Sequence, residues 1–513
     1  MAAPPLPREV ETIVVGAGSA GAVLAARITE RSDREVLLLD AGPDYPPETP
    51  LPPDLRDGTR NSIHDHDWGF RHRPVVPPRY PPHLFPRGRV VGGSSAVNTC
   101  IALRGEDYDF DEWGLADWTW EKCLPAFRRL EDDLDFGERP YHGQGGPIRM
   151  RRHGPEELVP WQAAFLEACA ELGFDATEDH NRPGSTGAGP HAMNKIEGVR
   201  QNVARGYLTD AVRARPNLHL APETLARRVL FEGRRAVGVE VERHGRVETV
   251  RARRVVLSAG AVCTPGILLR SGVGPKAQLA HLGVELVADN PGVASRLLDH
   301  PGSAVFLLPK DPALVHLADP LIQTALRYTS RGSRQRNDMQ VQAGSLVPLP
   351  FVELPVVSLM VQVGKPAGAG TIRWDSPDPR AKPILDSKLL HHPDELEQQL
   401  EAMELLWLLG TSKALGELAT FVLPTERGFS SRRAIREWLL GQTGSGYHPC
   451  GTVPMGDEDD PRAATDPRGR VRGTEGLIVA DASLFPTVPS SNINLPTIML
   501  GERFGEWLRE DAL

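Results

Sequence analysis

The run Gly16-Ala-Gly18-Ser-Ala-Gly21 constrains this chain more than any other stretch. It follows directly on a short apolar run, Glu11-Thr-Ile-Val-Val15, and precedes an Ala- and Leu-rich stretch, Ala22 to Arg31, that reads as a helix. A second apolar run, Arg34 to Leu39, ends at Asp40. Short apolar runs of this kind mark strands buried in a parallel sheet, so the segment reads as a β-α-β half-unit. In such a unit the first glycine makes the tight turn off the strand. The second lets a pyrophosphate approach the backbone, and the third lets the helix pack close to the strand. Amides at the helix start, with their partial positive charge, then face the phosphates. Asp40, 24 residues after Gly16, stands where an acid accepts hydrogen bonds from ribose hydroxyls. No arginine replaces it, which disfavours a 2′-phosphate. The pattern predicts an α/β dinucleotide site without separating FAD from NAD.

The rest of the composition narrows the class. The net charge is −9 over 513 residues. Basic doublets such as Arg128-Arg129 and Arg151-Arg152 are scattered among acids, so there is no basic stripe and no nucleic-acid partner is expected. Five cysteines, an odd number without a C-x-x-C pair, predict neither a disulfide framework nor a zinc cage. The alternation His64-Asp-His66 has no further ligands beside it, and no metal is expected. No stretch is long and apolar enough for a membrane span. The first apolar run leads straight into the glycine loop, so it reads as a strand and not a signal peptide, and a cytoplasmic protein is expected.

Along the chain, residues 45–86 are rich in Pro, His and Arg. They are too many for an idle loop and are expected to pack over a site or an interface. Helices are predicted over Trp113–Arg129, Trp161–Leu172 and 393–409. A hairpin is predicted within Leu218–Glu242, turning at Glu232-Gly233-Arg234, and strands over Val255–Gly260, Leu354–Val363, Thr371–Trp374 and Leu477–Ala480.

Four further blocks carry chemistry. The stretch Pro86-Arg-Gly-Arg-Val-Val-Gly92-Gly93-Ser94-Ser95-Ala-Val-Asn98 is a small-residue loop with several donors, suited to a phosphate or a flat ring. Taken alone it reads equally well as a plain turn. In Ser258-Ala259-Gly260 to Gly274 a strand ends, and a helix starts near Pro265 and stops at Gly272. The last two are Tyr447-His448-Pro449-Cys450-Gly451-Thr452 and Asp481-Ala482-Ser483 followed by Asn492-Ile-Asn494-Leu-Pro496-Thr497.

In this order the five blocks resemble the glucose–methanol–choline (GMC) family of flavoprotein oxidoreductases, and the resemblance covers nearly the whole chain. It implies an α/β fold with a Rossmann-like FAD-binding domain and a second, substrate-binding domain built on an antiparallel sheet flanked by helices. By that resemblance the FAD domain is discontinuous, over 1–155, 200–298 and 441–513, and the substrate domain takes 156–199 and 299–440. The family's FAD contacts carry over to Gly16, Gly18, Ser19, Ala20 and Gly21 at the pyrophosphate and to Asp40 and Ala41 at the adenosine ribose. Gly92, Gly93, Ser94 and Asn98 would run along the pyrophosphate and flavin, with Ala226, Ala259 and Gly260 near the adenine. Asp481, Ala482, Asn494, Pro496 and Thr497 would lie against the ribityl chain and ring. Val97 stands where some members carry a histidine joined to the flavin, so the FAD is expected to be non-covalent.

The resemblance further implies oxidation of a small-molecule alcohol to an aldehyde or ketone, with hydride passing to flavin N5 and electrons on to O₂ or another acceptor. His448 stands at the family's general base, and Asn492 at its second histidine or asparagine. Histidine is suited to removing a hydroxyl proton near neutrality, and an amide can stabilise the developing alkoxide. Cys450 reads as a small packed residue. The alternatives are relatives that keep flavin without net oxidation, such as hydroxynitrile lyases, or a light-driven decarboxylase. No motif marks the substrate pocket: Phe351, Trp374 and Trp407 could line it but read rather as core.

Overall fold

The computed structural model describes residues 5–75, 81–316, 318–349 and 352–513. Its first sheet grows from the predicted half-unit. The strand Glu9–Val15 lies parallel between Val36–Leu39 and the second half of Arg246–Leu257. Leu218–Ala221 extends the parallel set beyond Val36–Leu39, and Leu477–Val479 extends it beyond Arg246–Leu257. Parallel strands buried on both faces must be almost wholly apolar, and Ile13, Val14, Leu37, Leu38, Val255 and Val256 have no exposed surface. The helix Gly21–Ile28 covers this sheet and packs against the last helix, Asn494–Arg509.

Several expectations shift here. The hairpin turns at Gly233 (φ +62°) as predicted, but its strands are Thr224–Glu232 and Arg235–Arg243. The residues before it leave to join the parallel sheet. The strand expected at Val255 begins nine residues earlier, at Arg246. Its first half pairs antiparallel with the hairpin and is charged on its exposed side, which hides it from an apolar-run reading. The helix expected over Trp113–Arg129 forms only over Trp120–Leu130, because Gly114 turns the chain at φ +68°.

The second sheet is antiparallel, in the order Ala419–Leu423, Pro301–Pro309, Val352–Val363, Met339–Leu349, Thr324–Tyr328 and Gly187–Pro190. One face packs on the helices Pro160–Glu171 and Pro393–Gly410. Val305, Val341, Leu359 and Val361 meet Phe165, Met403 and Leu406 there in a second core. Alternation then sends Gln340, Gln342 and Gln362 to the opposite face. That face closes over the carboxyl ends of the parallel strands, the position where open α/β sheets bind ligands. No described helix is long and apolar enough to cross a membrane.

Candidate active site

A cavity of about 720 Å³ runs between the two sheets from Asp40 to His448. Its floor is made by the two predicted glycine loops, which close on each other. Gly16 turns at φ +102°, where a Cβ would lie 2.4 Å from Ser258 O. A Cβ on Gly93 would lie 2.7 Å from the Gly18 Cα, so the two backbones meet with no side chain between them. Gly92 N donates to Ala17 O at 2.8 Å and locks the loops together.

Asp40 is buried at the end of the second strand. One carboxylate oxygen accepts from Ala17 N at 2.9 Å and the other from Gly42 N at 2.8 Å. Burial pushes its pKa up to about 6, against those two amide bonds. Each oxygen keeps lone-pair capacity for a ligand. Ser19 Oγ donates to Asn494 Oδ1 at 2.9 Å, which leaves Asn494 Nδ2 buried without a partner beside the cavity. The Asp481 carboxylate is fully engaged within the protein. It accepts from Gly260 N (2.8 Å), Thr264 Oγ1 (2.6 Å), Ser483 N (2.8 Å) and Ser483 Oγ (2.5 Å), tying three segments together under the site.

Most of the expected residues line this cavity: Gly16, Gly18, Ser19, Ala20, Asp40, Ala41, Gly93, Ser94, Asn98, Ala226, Ala259, Gly260, Asp481, Ala482, Asn494 and Thr497, with His448 and Asn492 at the other end. Three stand behind the wall. Gly21 is a packing glycine, since its Cβ would lie 1.8 Å from Gly16 O. Gly92 backs onto Ala96 and Ala204. Pro496 is buried in the first turn of the final helix, where no backbone N–H is needed.

The chemical end is organised by Asp299-His300, a pair the sequence reading did not single out. Asp299 Oδ1 accepts from His300 N at 2.8 Å and His448 N at 2.9 Å, while Oδ2 accepts from Ser445 Oγ. Burial pushes the Asp299 pKa up to about 6, opposed by those bonds and by Arg87. His300 Nε2 faces two carbonyls, Gly364 O at 3.0 Å and Pro489 O at 2.9 Å, so it must carry the proton. Burial lowers the His300 pKa to about 4, which leaves its Nδ1 an acceptor. That Nδ1 lies 2.8 Å from His448 Nδ1, which therefore carries its own proton and donates. His448 Nε2 therefore bears the lone pair, and it accepts a hydrogen bond from Asn492 Nδ2 at 3.0 Å. Burial, and then the neighbouring His300 and Arg87, hold the His448 pKa well below the ordinary value. The arrangement is a neutral base of fixed tautomer beside an amide donor.

Residues 45–86 supply Asn61, Ser62, Ile63, Trp68 and Phe70 to the cavity wall. His66 is held between Asp54 (2.8 Å) and Tyr45 Oη (2.9 Å). Cys450 is wholly buried in the first core. Trp374 both lines the cavity and packs in that core, Trp407 stacks on Phe421 in the second, and Phe351 lies outside the described residues. Glu131, Asp133 and His142 lie close enough together to suggest a metal. Arg104 on Glu131 and Arg152 on Asp133 (2.9 Å) already meet that charge, and His142 bonds Asp179 at 2.9 Å. The cluster is a buried ion network.

A dinucleotide cleft at a parallel sheet, closed by an antiparallel sheet and lined at its far end by a histidine–asparagine pair from two loops, defines a flavin-type oxidoreductase. Residues 10–302 and 366–501 match the family described as GMC oxidoreductase, and the chain belongs to that family. It is 34% identical over 536 residues to the 5-(hydroxymethyl)furfural oxidase of Methylovorus sp. (strain MP688), covering 98% of each chain. It is 33% identical over 528 residues to an oxygen-dependent choline dehydrogenase of Rhizobium etli, covering 96% of this chain and 94% of the relative. Among solved structures, pyridoxine 4-oxidase from Mesorbium loti superposes with a TM-score of 0.89 at 29% identity, over 97% of this chain and 98% of that one. The protein is therefore an FAD-dependent oxidoreductase of CH–OH groups, with the GMC two-domain fold.

The residues present fit FAD. The cradle of Gly18 and Gly93 is free of side chains, as a pyrophosphate would require, the Asp40 carboxylate keeps acceptor capacity for hydroxyl donors, and the unpartnered Asn494 Nδ2 offers a donor.

Proposed function

We propose that the protein oxidises a small alcohol to the aldehyde or ketone, with His448 as general base and FAD held without a covalent bond. The observation that carries this reading is the unprotonated Nε2 of His448, its tautomer fixed through His300 and its lone pair facing the Asn492 amide. The alcohol oxygen takes the place of the Asn492 amide at the Nε2 lone pair while staying within reach of that amide, and its proton goes to His448 Nε2. Asn492 Nδ2 donates to the oxygen as negative charge develops on it. The Nδ1 proton stays on His448, donated to His300, so the ring accepts the substrate proton without a tautomer change. When bound, FAD supplies the hydride acceptor for the carbinol carbon. The electrons then leave to O₂ or another acceptor. Anaerobic addition of an alcohol panel is expected to bleach the oxidised-flavin absorbance. If no alcohol does so, the reading fails.

Two further outcomes follow from the cradle. Val97 lines the cavity and carries no atom able to bond to a flavin. Acid precipitation is expected to release all of the yellow colour into the supernatant, and colour kept in the pellet would overturn this. Asp40→Ala removes a ribose acceptor and also the partner of Ala17 N and Gly42 N. Hydrogen bonds to a charged group are worth about 1.5–3 kcal/mol each. The variant is therefore expected to lose FAD on dilution and to melt earlier even without cofactor. Parental flavin retention after gel filtration would contradict it.

A further inference from the structure

The substrate end of the cavity holds a side chain that the mechanism above leaves unused. Gln340 is 2% exposed and lines the cavity, and neither Oε1 nor Nε2 has a hydrogen-bond partner. Leaving a buried amide unsatisfied costs about 1–3 kcal/mol per group, so this position is built to meet something polar. Its place in the sheet says where. Gln340 pairs directly with Gln362 on the neighbouring strand, on the same face. The Gln362 amide lies 3.1 Å from His448 Nδ1. Directly opposed residues have Cβ atoms about 4.5–5.5 Å apart. Gln340 is thus one strand spacing from the glutamine that touches the base, a spacing on the scale of a five- or six-membered ring.

The same face favours an uncharged ligand. Beside Gln340 it presents Gln342, Met360 and Gln362. Among the described residues the cavity has two carboxylates, Asp40 and Asp481. Asp40 stands at the dinucleotide end, and Asp481 is spent on four internal bonds. A cationic substrate needs a carboxylate or an aromatic cage; this row of neutral amides offers neither, and the aromatic rings of the cavity, Trp68, Phe70, Trp374 and Tyr447, come from other segments. An amide with a free donor and a free acceptor instead matches a carbonyl, a hydroxyl or a ring heteroatom.

We infer that Gln340 sets substrate choice by hydrogen-bonding a second, uncharged oxygen function on the alcohol, across a ring-sized spacer from the carbinol. The inference rests on the alcohol-oxidising reading above. The substrates it selects are neutral ring alcohols carrying a distal hydroxyl or carbonyl, not quaternary ammonium alcohols.

The test compares anaerobic flavin reduction and kcat/KM for 1,4-benzenedimethanol, for the near-isosteric 4-ethylbenzyl alcohol, and for choline. The wild type is expected to prefer the diol over the ethyl analogue by at least about tenfold, because a site made to hydrogen-bond a group rejects the analogue lacking it. Choline should reduce the flavin at less than about a hundredth of the diol's rate. Gln340→Leu is expected to collapse the diol preference to below about twofold, through KM. Gln340→Met, unbranched like glutamine, serves in the same way if the leucine variant does not fold. An unchanged preference in the folded variant overturns the inference, as does efficient choline oxidation by the wild type. Both results leave His448 as a base untouched. If no alcohol of any kind reduces the flavin, the alcohol-oxidising reading falls and this inference falls with it.

Discussion

His448→Ala is expected to slow flavin reduction by alcohol about 10²–10⁴-fold, the usual worth of a positioned general base, while FAD stays bound. The residues proposed to hold FAD are the glycine loops, Asp40 and Asn494, and none of these hydrogen-bonds to the histidine side chain. Asn492→Ala is expected to cost less, on the order of 10–10³-fold, because it removes one donor to the developing charge and leaves the proton acceptor in place. The pH profile has a definite sign. The base works unprotonated, and burial with His300 and Arg87 holds its pKa well below 6.5. The rate of reduction should therefore be flat from neutral pH upward and fall only at acid pH, as His448 gains a proton at Nε2. Anaerobic stopped-flow reduction measures both effects. Wild-type reduction by His448→Ala would return that histidine to a structural role.

This part of the site was legible because its chemistry is written in local spacing. A glycine that must turn at positive φ or admit a phosphate leaves its mark in a few consecutive residues, as do His448 and Asn492 within their Gly- and Pro-rich blocks. What local spacing does not carry is the meeting of distant segments. The loop of Gly18 reads as a phosphate loop and that of Gly93 as a small-residue turn, and only the fold presses one against the other. His300 acts through Gly364 O, Pro489 O and the His448 ring, contacts 64, 189 and 148 residues away. Gln340 was missed for a different reason. Met339–Leu349 contains Gly344, Ser345 and Pro348, which read as loop. Its alternation of apolar residues with glutamines gains meaning only once one face is packed on helices and the other looks into the cavity. The failure at Trp113 is of the opposite kind: an apolar periodicity was visible, and one glycine at positive φ outweighed it.

The two alanine substitutions Gly16→Ala and Gly18→Ala are expected to separate the packing glycine from the ligand glycine. At Gly16 the backbone sits at φ +102°, and an added methyl would lie 2.4 Å from Ser258 O and 2.9 Å from the Ala259 Cα. Ser258 has no room to yield, since its N–H donates to Val15 O at 2.7 Å and its hydroxyl to Ala480 O at 2.8 Å. The strained conformation costs about 1–3 kcal/mol by itself. With the clash added, the loss of stability should reach about 3–5 kcal/mol, in the range of severe single substitutions. Gly18 differs in that its nearest neighbour to an added Cβ is the Gly93 Cα at 3.7 Å, an ordinary contact, and its φ is not in the left-handed region. The apoprotein of Gly18→Ala should therefore melt close to the parent. Its methyl would stand at the cavity wall beside Gly93, where the proposed FAD pyrophosphate would pass. Crowding there should cost about 1–3 kcal/mol of FAD affinity, the scale of one methyl forced into a filled space. Thermal unfolding of the two apoproteins, followed by FAD titration, checks both statements. A Gly16→Ala apoprotein as stable as the parent would show that the Ser258 strand end can give way. Parental FAD affinity in Gly18→Ala would show that the pyrophosphate crosses the sheet edge elsewhere.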